Sequence, residues 1–338
     1  MSLIFMDSFD HYGPGFTLPE KWTGATANTQ ITLGVGRTGA AACQILAGTV
    51  GCAKTFAQTT NLLACTNWYC TQPGLALVIS NLNAINGVVG LVVLGNGDVQ
   101  VINTPFNVQY SYGQAGKPGL VSFGVYNNIA LQVVAGIANG VINVWVNGVQ
   151  VMHLTGVNTI VGGGPGPYLT YYETVYLCAP GNSGWTCYHD DVYILDCTDG
   201  DTYRGAARIY AVVPYANSTP VEWTPLANQN WQEVSTIPPP GDSSYVSSST
   251  VGNVDQYLYL GSVVPAGAAI LGVQHCLDMR VDGGSRSVAS DMAGIVAAGQ
   301  ALPSGYAIFT TPYDKNPATA AAWQAADFPL AAGPAVTA

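Results

Sequence analysis

Charge is what this sequence has least of. Asp, Glu, Lys and Arg make up 8% of its 338 residues, against roughly a quarter in typical soluble domains. So uncharged a chain keeps its surface solvated in one of two ways. Either Thr, Ser, Asn and Gln line the exposed face of a β-rich fold, or neighbours in an assembly cover much of each subunit. Basic residues are the scarcer kind: 9 Lys and Arg stand against 19 Asp and Glu, for a net charge of -10. A surface of that sign repels phosphate backbones, so nucleic acid is not an expected partner. There is no basic amphipathic stretch of the kind that lies on membranes. Nor is there an apolar run of about 18 residues, so no membrane insertion is expected. The opening residues Met1–Asp7 carry no positive segment and include an acid, so they do not read as an export signal.

Catalytic motifs are also missing. No G-x-S-x-G and no Walker loop occur, and the four histidines (His11, His153, His189 and His275) are dispersed. A nucleophile–base pair therefore has no support from spacing. Glycan hydrolysis by paired carboxylates needs two acids on one face of a cleft. The only Glu residues are Glu20, Glu173, Glu222 and Glu233, none spaced to share a strand face with another acid. No catalytic residue and no cofactor site is assigned, and the expectation is a protein that is not an enzyme. Gly34-Val35-Gly36-Arg37-Thr38-Gly39 matches a dinucleotide fingerprint. It lacks the helix and the downstream acid that such a site requires, and it reads as a turn between strands.

What is present is β-type sequence. Apolar runs at 75–80 and 88–94 are bounded by Gly and Asn. Asn96-Gly97 and Asn147-Gly148 sit between apolar or alternating segments, a strong hairpin signal. Segments 121–126 and 129–134 read as strands joined at Asn127-Asn128, and Phe5, Phe9 and Trp22 as anchors of the first strand. Val192-Tyr193-Ile194-Leu195, bracketed by acids, reads as a buried closing strand. After Cys197 the texture shifts towards Pro and Ser, with strands again at 257–264 and 268–281 and one expected helix from Pro317 to Phe328.

Three sets of residues are candidates for chemistry. Asp190 and Asp191 are weak ligands for Ca²⁺, which needs six to eight oxygens. As neighbours on a strand they would point to opposite faces, so capping of backbone N–H groups is the favoured role. Trp68, Trp185, Tyr168, Tyr171 and Tyr172 are candidates to stack on sugar rings, or else are core anchors. The eight cysteines include three local pairs, Cys43–Cys52, Cys65–Cys70 and Cys178–Cys187, expected to form disulfides after release from the cell. Cys197 and Cys276 are a further candidate pair.

Several stretches resemble a known family. Phe5-Met6-Asp7-Ser8-Phe9-Asp10-His11-Tyr12 before Lys21-Trp22, and Gly36-Arg37-Thr38-Gly39 before Lys54-Thr55-Phe56, resemble tailed-bacteriophage virion structural proteins. So do Trp223-Thr224-Pro225, Asn230-Trp231 and Tyr245–Thr250. The hairpin Val144–Val151 and the closing Asp190–Asp196 segment resemble laminin-G and concanavalin A-like lectin sandwiches. Asn147 stands where that pattern usually has Asp, which weakens an inherited Ca²⁺ site.

The resemblance implies an all-β chain. A concanavalin A-like (jelly-roll) sandwich would occupy residues 1–197, and a second, mostly β assembly domain residues 198–338. It implies a non-enzymatic virion protein on the tail, baseplate or fibres, made in the host cytoplasm and released by lysis. Its partners would be other virion proteins, copies of itself and host surface glycans. A capsid decoration or collar protein and a glycan depolymerase are the alternatives.

Overall fold

The computed structural model describes residues 3–13, 21–26, 29–46, 51–80, 88–103, 108–112, 119–160, 171–179, 186–261 and 264–337. It divides into two units. Residues 1–10 and 14–209 form the first, and 11–13 with 210–338 the second.

The first unit contains β1 (Leu3–Asp7), β2 (Gly24–Ala25), β3 (Thr29–Thr32), β4 (Ala42–Ile45), β5 (Cys52–Thr59), β6 (Asn61–Cys70), β7 (Gly74–Ser80) and β8 (Val88–Val93). It continues with β9 (Val99–Asn103), β10 (Val108–Tyr112), β11 (Tyr126–Val134), β12 (Gly140–Val146), β13 (Val149–Val157), β14 (Tyr172–Leu177) and β15 (Cys187–Asp196). Two antiparallel sheets result. The first runs β13-β12-β11-β6-β15-β4-β3, with β1 also on β15, and the second runs β10-β9-β8-β7-β14-β5-β2. This is the expected jelly-roll sandwich of the concanavalin A-like kind.

Alternation along each strand explains the layers. On β6, Leu62, Ala64 and Trp68 are fully buried on the inner face. Ile129 and Leu131 on β11 join them, and Leu77, Ile79 and Leu177 come from the second sheet. Burying each of the Leu and Ile side chains contributes about 1.5–3 kcal/mol. Hairpin chemistry follows the sequence. Asn147 and Gly148 both take positive φ, 49° and 85°, the geometry that a two-residue turn between twisted strands demands. The first strand is anchored as expected. Phe5 and Phe9 pack on Trp22 with ring centroids 5.0 and 5.8 Å away, and Trp22 Nε1 donates to Asp7 Oδ2 at 2.8 Å.

Two expectations change here. Residues 121–125 form turns rather than a strand, and Asn127-Asn128 lie inside β11. Asn127 holds that turn: its amide donates to Ser122 O and Val125 O, and its Oδ1 accepts from Ser122 N. Residues 198–209 belong with the first unit rather than the second. Their composition is polar, but Tyr203 and Ala207 pack on the outward side of the first sheet, against Leu63, Cys65, Tyr193 and Leu195. Tyr203 stacks on Trp145 at 5.1 Å.

The second unit is mostly β. It contains β16 (Pro214–Val221), β17 (Thr224–Pro225), β18 (Val246–Ser247), β19 (Asp255–Tyr259), β20 (Val273–Met279), β21 (Ser287–Met292), β22 (Ile295–Val296), β23 (Gln300–Ala301), β24 (Ala307–Tyr313) and β25 (Leu330–Thr337). One sheet runs β16-β19-β25-β21-β22 with β23 also on β21, and β17–β18 and β20–β24 are two-stranded ribbons. Among the described residues the core is small: a cluster of Met292, Trp323, Leu330 and Ala332, with Tyr257, Val288, Ala289, Ala335 and Val336 also buried. The expected helix from Pro317 to Phe328 is absent. Those residues form turns and one 3₁₀ turn, Ala325–Asp327. The side chain of Asn316 takes the Ala318 N–H, Ala320 adopts φ 57°, and Trp323 Nε1 is tied to Tyr313 O at 2.9 Å. Burial of Trp323 outweighs the helix propensity of the alanines.

Candidate functional site: the outward face of the first sheet

Side chains that alternate away from the core of β6, β15, β11, β4 and β3 make this face. Trp68 and Cys70 are buried, and Tyr69 between them is half-exposed. Cys187 and His189 are buried, and Tyr188 between them is half-exposed. The strand register then sets these tyrosines side by side. Tyr126 is opposite Tyr69, Tyr69 opposite Tyr188, Tyr188 opposite Gln44, and Gln44 opposite Gln30. One straight row therefore crosses five strands. Tyr69 lies 5.5 Å from Tyr126 and 5.5 Å from Tyr188, centroid to centroid, with ring planes inclined by 51° and 58°. Gln30 Nε2 donates to Gln44 Oε1 at 2.7 Å, and Thr32 Oγ1 also donates to that oxygen. Burial raises the phenols of Tyr126 and Tyr188 above their ordinary range, so both stay neutral.

The Gly34–Gly39 loop borders the row. It joins β3 to β4 as a plain turn. A Cβ on Gly36 would lie 2.4 Å from Ala41 O, so only glycine fits this close approach. Tyr126 OH donates to Val35 O at 2.8 Å. The loop is held from below by the two candidate acids. A β-bulge interrupts the pairing of β15 with β6 between Asp190 and Tyr193, and Asp191 takes φ 48°. The bulge corrects the expectation that adjacent acids diverge, because both carboxylates turn towards Arg37. Asp190 Oδ2 accepts from Arg37 N at 2.7 Å and its Oδ1 from Asp191 N at 2.7 Å. Asp191 Oδ1 accepts from Ile209 N at 2.8 Å, and its Oδ2 from Asn67 Nδ2 at 3.1 Å and Arg37 Nη1 at 3.3 Å. All four oxygens thus accept donors of the chain itself. Among the described residues no group of three or more His, Cys, Asp or Glu is arranged to hold a metal ion. Burial, with Asp191 beside it, pushes the carboxyl of Asp190 up to about 7. Burial raises Asp191 too, held back by the Ile209 N–H and Arg37.

Further along the face an amide ladder crosses four strands. Gln132 Nε2 donates to Asn61 Oδ1, Asn143 Nδ2 to Gln132 Oε1 and Gln150 Nε2 to Asn143 Oδ1, at 2.9, 2.9 and 3.0 Å. His153 Nδ1 closes it, 2.6 Å from Asn143 Oδ1. This is how a face poor in charge stays polar.

The sequence-based stacking candidates fall elsewhere. Trp68 has no exposed surface and belongs to the core. Tyr172 is buried and donates to Thr159 O. Tyr171 is half-exposed but lies outside the row. Tyr168 and Trp185 lie outside the described residues. The tyrosines that do line up, Tyr69, Tyr126 and Tyr188, are not among those candidates. Each is the half-exposed residue beside a buried core residue, and alternation alone would have picked out Tyr69 and Tyr188.

All eight cysteines are free thiols. Cys43 and Cys52 come close, Sγ to Sγ 4.0 Å. The Cys65–Cys70 pairing is excluded. Both lie on β6 five residues apart, roughly 16 Å along an extended strand, where a disulfide needs Cα atoms within about 7 Å. Odd spacing also puts them on opposite faces. The residue opposite Cys70 is Cys187, the one expected to pair with Cys178. The Cys187 thiol hydrogen-bonds Cys70 and holds the Cys70 pKa below the ordinary thiol value. Cys197 lies in the outward cluster of the first unit, and Cys276 is exposed on the β20–β24 ribbon of the second.

The fold and the face define an all-β, concanavalin A-like chain with an aromatic row on one sheet. No protein-family model matches this chain. No curated protein matches it. Solved structures similar to it include alginate lyase vAL-1 from Chlorella virus, at 10% identity over 52% of this chain and 93% of that one, TM-score 0.37. A heptameric SAP-like pentraxin from Limulus polyphemus is similar at 12% identity over 54% and 72%, TM-score 0.30. A sialidase CBM40 from Ruminococcus gnavus, bound to α2,3-sialyllactose, is similar at 15% identity over 41% and 76%, TM-score 0.27. With TM-scores of 0.27 to 0.37, these likenesses carry no argument about this chain.

Proposed function

We propose that this chain is a non-enzymatic structural protein of a tailed-phage virion, on the tail, baseplate or fibres, and that its first unit touches host surface glycans. The observation that carries the glycan contact is the Tyr126–Tyr69–Tyr188 row with Gln44 and Gln30 at its end. Rings with a polar handle, half-exposed beside amides, suit ligands with apolar faces and many hydroxyls. The virion setting rests on the sequence resemblance and on the scarcity of charge. Binding without turnover is supported by Asp190 and Asp191, whose oxygens are all engaged by the chain. The second unit serves assembly in this reading. Fourteen large apolar side chains stand exposed among the described residues, and nine belong to that unit.

Two measurements test it. Mass spectrometry of purified particles is expected to find the chain, and its absence would refute the virion role. The purified chain is expected to bind host cells, with most binding lost in the Tyr69→Ala, Tyr188→Ala double variant. Release of reducing ends from host polysaccharide would replace this reading with a depolymerase.

A further inference from the structure

The row also constrains what kind of glycan fits. We infer that it takes a neutral glycan chain of at least three residues, one whose successive sugar rings are not coplanar, lying across the strands. This rests on the reading of the row as a glycan contact.

Length comes from the register. Three rings follow one another at 5.5 Å, one per strand, close to the length of one pyranose residue. A disaccharide can cover two of the rings, and a trisaccharide covers all three. Shape comes from the ring planes. Tyr69 is inclined by 51° to Tyr126 and by 58° to Tyr188. A flat ribbon that stacks on one of these rings meets the others obliquely, with little stacking contact. A chain that turns between residues presents a face to each.

Charge comes from the border. Arg37 is held by Asp191 Oδ2 and by Ala207 O, and Arg208 by Thr38 Oγ1. Asp190, Asp191 and Asp10 lie behind the same loop, and Asp10 is tied to Ala41 N. Asp190 and Asp191 are buried out of a sugar's reach, and both border arginines are already engaged by the chain, so among the described residues the face offers an anionic sugar no uncommitted cation. The end of the row is neutral. Gln44 Oε1 already accepts from Gln30 and Thr32, which directs the Gln44 NH₂ and the Gln30 carbonyl to sugar hydroxyls.

Calorimetric titration of the full chain with four oligosaccharide series tests this. Laminari- and malto-oligosaccharides are neutral and turned, cello-oligosaccharides neutral and flat, and oligogalacturonates anionic. The expected result is binding of a turned neutral series, about tenfold tighter for trimer than dimer and level beyond. Tyr69→Ala is expected to weaken it roughly five- to tenfold, and Tyr69→Phe to keep it. Equal or tighter binding of cello-oligosaccharides or oligogalacturonates that still depends on Tyr69 would overturn this inference and leave the glycan contact standing. Binding indifferent to Tyr69→Ala, or no binding of any series, would overturn both.

Discussion

The two units of this chain solve the same problem differently. The first buries most of two central strands: β6 and β15 are covered by the second sheet on one side and, around Leu63, Cys65, Tyr193 and Leu195, by Tyr203 and Ala207 on the other. The second buries fewer apolar side chains among the described residues, and its ribbon strand β24 is only half-buried along its whole length. With less apolar burial to draw on, it leans further on a device that Asp190 and Asp191 also use in the first unit, buried acids that gather backbone donors. Asp255 Oδ1 accepts from Glu222 N and Trp223 N, and Oδ2 from Asn230 Nδ2 and the Tyr257 hydroxyl. Glu233 Oε1 takes Ala227 N and Asn228 N, and Oε2 the Ser244 hydroxyl. The comparison teaches that scarce charge is not idle charge. Where apolar burial is thin, single carboxylates hold loops that side-chain packing does not.

The largest expected effect is in the thin unit. Trp323→Ala should cost about 3–5 kcal/mol and open the second unit as a whole. Hydrogen exchange across residues 255–337 should rise together while β6 and β15 keep their protection. Leu131→Ala in the first unit costs about the same, yet should leave its strands folded. Equal collapse in both would erase the contrast.

Next is the pH response of the first unit. Asp190 titrates near 7 in the fold against 3.8 unperturbed. The native state therefore holds a proton that the unfolded chain has lost, and this stabilisation is full below pH 4 and gone once pH has risen through 7. His189 acts oppositely. Burial lowers it to about 4 from 6.5, so its contribution is full above pH 6.5 and lost as pH falls through 4. Asp190→Asn removes the first slope. Between pH 4 and 8 the variant should gain on the wild type by an amount on the order of 3 kcal/mol. Parallel melting curves across that range would contradict the burial of this carboxyl.

In the second unit, Asp255→Ala should cost about 1–3 kcal/mol and expose the 222–231 segment to proteolysis ahead of the sheet. Loss of the sheet at the same rate would show that packing, not the carboxylate, holds that segment. For the cysteines, non-reducing peptide mapping of oxidised protein should find Cys43–Cys52 and Cys70–Cys187 and never Cys65–Cys70. A Cys65–Cys70 linkage would mean β6 is not one continuous strand. The smallest stability effect is expected at the row itself, where Tyr69→Ala should change folding by under about 1 kcal/mol. That would mark these half-exposed rings as surface rather than core.

Much of the fold was legible because hairpin chemistry is local. Asn147-Gly148 and the acid-bracketed Val192–Leu195 run declare strands by themselves. The helix expected at 317–328 failed because propensity was read without the burial of Trp323. The boundary at 197 failed because polar composition hid two anchoring residues, Tyr203 and Ala207. The site was legible only in part. Tyr188 and the two acids stand together in sequence, but their neighbours Tyr69, Tyr126 and Arg37 arrive through long-range register. The bulge that turns both acids to one loop depends on one residue in the left-handed region, which adjacency on an ideal strand does not reveal.

The most direct test of the central claim is a cryo-EM map of the phage particle resolved to side chains at this protein. The account predicts the chain on the tail, baseplate or fibres, the Tyr126–Tyr69–Tyr188 row facing outward, and the second unit against other subunits. A particle without the chain, or a row sealed beneath another virion protein, would contradict it.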